Sequence, residues 1–275
     1  MKSWLAPYMA VLSARYRMLL QYRAAAVAGF ATQLFWGAIR LMILAAFYAA
    51  ATAPQPMTMP ELVTYIWLGQ ALLGMLPWNI DGEFALQVRD GSVVYELLRP
   101  LDLYHFWFAR TLAFRTAPTT LRCLPMLLFA MLVLPAVGLD AWAMRPPPSL
   151  AAGVWFGVSL AAAALLTTAL TMLMHISLLW TISGQGIDRL VPSVVLLLSG
   201  MLIPLPLFPD WLQPVLNLQP FRGLVDVPFR IYSGNIPFNT AVWDVAQQLL
   251  WVVLLIWFGR SLLSRGTRTL VIQGG

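Results

Sequence analysis

The sequence predicts an all-α polytopic membrane protein with six transmembrane helices, and three observations predict it. Of 275 residues, 60% are hydrophobic and only 10% charged, where a soluble domain holds about half and a quarter. Six apolar stretches are each long enough to cross about 30 Å of hydrocarbon as a helix. Once these are threaded through a bilayer, the basic residues fall almost entirely on one side.

The stretches cover residues 24–50, 61–80, 117–137, 150–179, 187–207 and 241–263. Cytoplasmic loops hold an excess of Lys and Arg. An inside N-terminus places Lys2, Arg15, Arg17, Arg23, Arg89, Arg99, Arg110, Arg115, Arg122, Arg189, Arg260, Arg265 and Arg268 in the cytoplasm. Only Arg145, Arg222 and Arg230 are then outside, with Arg40 inside the first span. Both termini are therefore expected in the cytoplasm. The net charge of +6 reflects this topology and contact with anionic headgroups, not nucleic-acid binding, because no basic cluster with interleaved aromatics stands clear of the bilayer.

Residues 1–23 carry Trp4, Leu5, Tyr8, Met9, Leu12, Tyr16, Leu19 and Leu20 at near-helical spacing, with Arg15 and Arg17 among them. This pattern predicts an interfacial helix whose arginines snorkel toward headgroups; the competing reading is a frayed extension of the first span. Pro7, Arg15 and Arg17 interrupt any signal-peptide core. Ala53-Pro54-Gln55-Pro56 ends the first span in a turn.

Residues 81–116 form the longest polar section, with Asp81, Glu83, Asp90, Glu96 and Asp102, and are expected to be water-exposed and to form salt bridges. Gly91 and Pro100 bracket a short helix over residues 92–98. Asp102 is a candidate N-cap for a further interfacial helix carrying Phe106, Trp107, Phe108 and Phe114. Arg145-Pro146-Pro147-Pro148 makes a stiff outer loop.

Seven prolines (Pro204, Pro206, Pro209, Pro214, Pro220, Pro228, Pro237) break residues 204–237 into short pieces. The segment is too apolar for a water-filled loop and too interrupted for a span. Broken backbone at membrane depth survives only where protein or a cavity shields it, so the segment is read as a re-entrant helical hairpin dipping into the outer leaflet. A surface loop with some buried apolar residues is the alternative. Within it, Arg222, Asp226 and Arg230 recur at four-residue spacing, placing them on one helical face toward the periplasm or a partner.

No catalytic constellation is present. Lys2 is the only lysine, which excludes a phosphate-binding G-x-x-x-x-G-K-[ST] loop. Ile182-Ser183-Gly184-Gln185-Gly186 is a turn with a faint likeness to an ATPase signature. His105 and His175 lack metal-site spacing and are expected at a headgroup boundary and bonded to a neighbouring helix, respectively. Cys123, the single cysteine, excludes an internal disulfide and a cysteine-based zinc site and is expected as a small buried thiol. Carboxylates keep to the ends of the spans, which argues against an ion-coupled secondary transporter. Arg40, the one charge deep in a span, reads either as a cavity-facing residue that attracts an anionic substrate or as a structural residue bonded to Gln33, Gln70, Asn79 or a neighbouring helix's carbonyl.

Gly91-Ser92-Val93-Val94-Tyr95-Glu96-Leu97-Leu98-Arg99-Pro100 resembles the G-x-[IV]-x-x-x-L-L-R-P stretch of type-2 ABC (ABC-2) exporter permeases. Pro206-Leu207-Phe208-Pro209-Asp210-Trp211-Leu212, Pro220-Phe221, Pro228 and Ile231-Tyr232-Ser233-Gly234 resemble their outer re-entrant region. The likeness spans essentially the whole chain in order, and its leucine-arginine-proline motif is similar to the bacterial drug- or viologen-exporter branch. The resemblance implies a permease of the bacterial inner membrane that binds no cofactor itself and pairs with a second permease, in a homodimer or a paralogous heterodimer. Two cytoplasmic ATPases would carry the ATP and Mg. A coupling helix within residues 81–116 would dock them through Glu83, Arg89, Asp90, Gly91, Tyr95, Glu96, Arg99 and Pro100, and Arg40, Phe208, Pro209, Pro220, Phe221 and Phe229 would line or gate the pathway. A non-transporting membrane scaffold is the remaining alternative.

Overall fold

A computed structural model of the chain describes residues 4–181 and 184–269, the Thr269 side chain excepted. Lys2 and the Ile182-Ser183 part of the signature-like turn lie outside the described residues. In chain order the helices are α1 (Ala6–Leu19), α2 (Arg23–Ala50), α3 (Met59–Leu72), α4 (Gly82–Arg89), α5 (Val94–Leu97) and α6 (Leu103–Leu128). They continue with α7 (Leu134–Ala136), α8 (Leu150–Ser177), α9 (Gln185–Leu198), α10 (Gln213–Leu218), α11 (Asp226–Ser233) and α12 (Phe238–Thr269).

Among the described residues four helices are long and apolar enough to cross a membrane: Arg23–Ala50, Leu103–Ala136, Leu150–Ser177 and Phe238–Arg268. They match the first, third, fourth and sixth predicted spans. The second and fifth differ, because α3 and α9 are each only 14 residues long. Thr58 starts α3 in a capping box with Glu61. A single 3-10 turn, Leu73–Met75, follows, and Leu76 is extended (φ −64°, ψ 154°). Pro77 explains the break, since the residue before a proline is driven out of the α region. Residues 62–72 of α3 are buried on every side, as expected of a helix apolar all round, so α3 meets protein rather than lipid and its broken end is shielded. At the end of α9, Gly200 takes φ +86°, a conformation open to glycine at no steric cost.

The third span begins 14 residues earlier than predicted. Asp102 caps α6 as expected, its carboxylate accepting from the His105 N–H, but the helix it starts is the span itself. Pro118 and Pro125 lie inside α6, and the π turn Phe129–Val133 follows directly. Each proline removes one ladder bond without ending the helix, and π turns are one way a chain absorbs such a loss.

The pairings define the topology. Tyr8 stacks beside His105, Tyr16 bonds Thr120, and Phe30 meets Phe129 edge-on. Thus α1 and α2 follow one another along α6 and run in its direction. Thr111 with His175 and Arg115 with Thr171 make α8 antiparallel to α6. The Ser159–Gln248 bond and the contact of Gly259 with Leu173 make α12 parallel to α8. Trp4 against His105 and Arg260 against Asp102 bring both ends of the described chain to one end of the bundle, here the basic end.

Two cores result. The central one surrounds α3 with Leu41, Met126, Leu166, Val195 and Phe229. The second, at the basic end, joins Phe84, Val93, Tyr104, Trp107, Met174 and Leu263. The large exposed apolar side chains of α2 and α12, among them Phe35, Phe47, Trp243 and Trp257, leave an outer surface suited to lipid.

Candidate functional site

The basic end carries a small polar platform built on α4 and α5. Asp81 caps α4 by accepting from the Glu83 N–H. After Arg89 the chain reverses through Asp90, Gly91 and Ser92. The Asp90 carboxylate accepts from the Ser92 N–H at 2.8 Å, and the Ser92 hydroxyl and N–H hold its pKa below the usual carboxylate value. Gly91 sits at φ +77°, where a side chain costs roughly 1–2 kcal/mol. Gly91→Val should therefore lower stability by about that amount and misdirect α5, read as a drop in melting temperature in detergent. An unchanged melt would show that the turn relaxes freely.

Below this turn the platform is braced by buried charges. Glu96, expected to be exposed, is buried at 6%. It accepts from Arg110 at 2.5 Å and from the Trp107 indole at 2.6 Å. Arg110 reaches on to Glu83 at 3.3 Å, and Arg15 of α1 pairs with Glu83 and with Asp81, the latter at 2.8 Å. Partial burial works against the Arg15 charge, yet Glu83 and Asp81 outweigh it and raise its pKa. Arg15 thus holds α1 to the platform instead of snorkelling to headgroups. The section expected to be water-exposed makes these salt bridges while half-enclosed by α1, α6 and α8. Arg115 is buried too and bonds Thr171, Asn79 and the Leu76 carbonyl.

His175 joins α8 to the platform, as the sequence suggested. Its Nε2 accepts from the Asp81 N–H at 3.0 Å, which leaves Nδ1–H to donate to Thr111 at 3.2 Å, and its ring stacks on Phe84. His105 is half-exposed beside Asp102 and Arg260. Burial raises the Asp102 pKa, but the His105 N–H and the Arg260 charge overcome it and leave it below normal.

What remains on the outside is an apolar and charged face. Leu86, Tyr95, Leu97 and Leu98 are exposed, Tyr95 at 72% and Leu98 at 77%, next to exposed Arg89, Asp90, Gly91, Arg99 and Pro100. A cavity of about 430 Å³ lies beside it, lined by Ile80, Val88, Arg89, Leu178 and Asp188. Of the docking residues expected from the sequence, Arg89, Tyr95 and Arg99 lie on this face. Leu97 and Leu98 belong to the motif but were not expected to dock, and Leu86 lies outside it; a count of apolar residues on a short polar helix could have flagged all three.

At the opposite end, short helical pieces between residues 205 and 233 pack inward. Gly223 lies within contact of Leu166, and the Gln248 amide donates to the Gly223 carbonyl at 2.7 Å. Leu166 is sixteen residues beyond the start of α8. The charged face of this segment is a correction. Asp226 is fully buried, Arg230 pairs with it at 3.2 Å, and Arg222 bridges it to Asp244 of α12 at 3.0 Å. These groups face one another and α12, not the periplasm, because a desolvated charge needs a partner more than a surface.

The proposed pathway residues are not gathered in one place. Phe229 is sealed in the core, edge-on to Tyr65. Phe221 lines an apolar cavity of about 270 Å³ between α8 and α9. Phe208 and Pro220 are half-buried and Pro209 is exposed. Arg40 donates to the Met201 and Leu202 carbonyls just beyond α9, which matches the structural reading. Gln33 and Gln70 are not its partners. Cys123 is half-buried, facing an apolar groove between α6 and α8.

Among the described residues no group of three His, Cys, Asp or Glu could hold a metal ion. The fold and site together define a multi-pass helical permease-like protein whose polar groups brace its two ends. The chain belongs to the ABC-2 family: the model of the ABC-2 family transporter proteins matches residues 26–274. Proteins of this family typically work with cytoplasmic ATPase subunits. No curated protein and no solved structure matches the chain.

Proposed function

We propose that this chain is the permease subunit of an ATP-driven exporter and that the exposed α4–α5 face receives a cytoplasmic ATPase. One observation carries the reading: Leu86, Tyr95 and Leu98 stand exposed beside Arg89 and Arg99 on a base locked by the Glu96–Arg110 and Arg15–Asp81 pairs. Such a face gives a partner aromatic and aliphatic anchors and charges for orientation, and its base passes a push to α6 and α1.

In this mechanism ATP-driven closure of two ATPases tilts the long helices and alternates access to a cavity between this permease and a second one, identical or paralogous. Pro192 inside α9, with Pro204 and Pro206, lets that helix bend. From the far end inward, Phe208 and Pro209 and then, deeper in the bundle, Pro220 and Phe221 close the pathway, with Phe229 anchoring the segment and Arg40 tying α2 to the end of α9. The basic end faces the cytoplasm of a bacterial inner membrane.

Reporter fusions after Gly91 and at the C-terminus should report cytoplasm, and one near Pro147 the periplasm. A periplasmic C-terminal reporter would reverse the assignment of the docking end. Co-expression with a candidate ATPase, followed by ATP-dependent export from inverted vesicles, tests the exporter reading itself.

A further inference from the structure

The cavity of about 430 Å³ beside the α4–α5 face has two unlike sides. Ala85, Val88 and Arg89 line it from α4, and Leu178 and Gly184 line it from the chain between α8 and α9. Every lining residue lies in α4, in the approach to it, or between the end of α8 and the first turn of α9. The cavity therefore sits at the basic end of the bundle, not in the flank of a long helix.

Its walls are fixed in advance. The Ile80 N–H donates to the Asp188 carboxylate at 2.8 Å, and the Asp81 N–H to His175 Nε2 at 3.0 Å, which ties the approach to α4 to both α9 and α8. Gly184 packs so closely that a Cβ there would stand 2.7 Å from Leu178 and 2.8 Å from Ile80. On the α4 side, a Cβ at Gly82 would meet nothing within 4 Å. The hollow is firm along the turn and roomy along α4.

Its chemistry selects an occupant. Ile80, Ala85, Val88 and Leu178 supply apolar wall, while Arg89 makes no ion pair among the described residues. Asp188 is the one acid in the lining, and its carboxylate is already bonded to Ile80. An apolar body with a carboxylate beside it satisfies both wall and arginine. The volume falls within the roughly 300–1,000 Å³ of ordinary ligand pockets, so a whole side chain fits. Leu86, exposed one turn before Arg89 on the same helix, makes the hollow continuous with the docking face.

We propose that this cavity is a socket for the ATPase: it receives one aromatic or large aliphatic side chain of that subunit, and Arg89 pairs with a carboxylate next to it. Buried anchors seated in pockets carry most of the energy of an interface. The proposal rests on the reading of the α4–α5 face as the docking surface and adds the feature that selects the partner. An ATPase lacking the apolar and acidic pair leaves the hollow empty and Arg89 uncompensated.

In the test, the full-length permease in neutral detergent is titrated with the purified ATPase that supports export on co-expression, and binding and melting are measured together. Ala85→Phe and Gly82→Leu fill the socket from α4 and should each weaken binding roughly tenfold or more, with an unchanged or higher melting temperature. Gly82→Leu reads out even where Ala85→Phe fails to fold, because its side chain starts in open space. Arg89→Gln should slow association and flatten its salt dependence, since a rim charge acts chiefly on encounter. Arg145→Gln, at an exposed position of the outer loop, should alter neither. Undiminished binding in both filled variants, with binding lost in Tyr95→Ala combined with Leu98→Asp, would overturn the socket and leave the docking face standing. Undiminished binding in all three, or none by the unaltered chain, would overturn both. Filled variants whose melting temperatures collapse along with their affinities would show the walls to be structural and overturn the socket alone.

Discussion

Asp226→Ala should destabilise the protein by about 3–5 kcal/mol, the range found when one partner of a buried ion pair is removed. Its carboxylate is almost wholly enclosed, with 1% of the side chain exposed, and it faces Arg230 at 3.2 Å and Arg222 at 3.9 Å. Removing it leaves two guanidinium groups, themselves largely enclosed, without their shared counter-charge. Asp244 can still hold Arg222 at 3.0 Å, but Arg230 keeps only the Asn235 amide oxygen. The loss should appear as poor yield and a much lower melting temperature in detergent. Asp210→Ala, at an exposed position of the same segment, should change stability by no more than about 0.5 kcal/mol. If the two variants melted alike, the buried network would be structurally idle and the inward packing of the segment would need another cause.

The second large effect is expected at the α4–α5 face, and there it should concern association. Tyr95→Ala combined with Leu98→Asp removes the two most exposed apolar side chains of α5 and its following residue and adds a charge. Central anchors of an interface are each worth about 2 kcal/mol or more, so co-purification of a partner ATPase should fall at least about thirtyfold. The melting temperature of the isolated permease should hardly move, because neither side chain supports the core. Glu96→Ala makes the opposite pattern. It leaves the buried Trp107 indole N–H without its acceptor and Arg110 with only its longer contacts to Glu83 and Gln87, so stability should fall first and coupling as a consequence. A double variant that keeps its ATPase and its transport would place docking on another surface.

These two variants mark where sequence reasoning reached and where it stopped. The turn at Gly91, the Asp102 cap and the bonding of His175 to a neighbouring helix were legible, because each rests on local chemistry: a positive φ, an orphan N–H, a polar group with nowhere to go in lipid. Glu96 reads from the sequence as water-exposed and Arg15 as snorkelling to headgroups, since a charge carries no mark of the charge it will meet from another helix. Arg222 lies in a 3-10 turn ahead of α11, so it shares no single helix with Asp226 and Arg230; the three meet all the same, and Asp244, a residue of α12, turns the cluster inward.

The sequence alone determined that the chain lives in a membrane and that it holds no phosphate-binding loop for ATP; it offered six long stretches, of which four form long helices. Those properties follow from summed transfer energies and from residue types that are either present or absent. Tertiary structure decided that α3 and α9 are short, because a helix enclosed by protein need not match the thickness of lipid and a broken end can be satisfied by its neighbours. It also decided which charges are braces and which face outward, because pairing between distant residues is settled only when the helices carrying them come together.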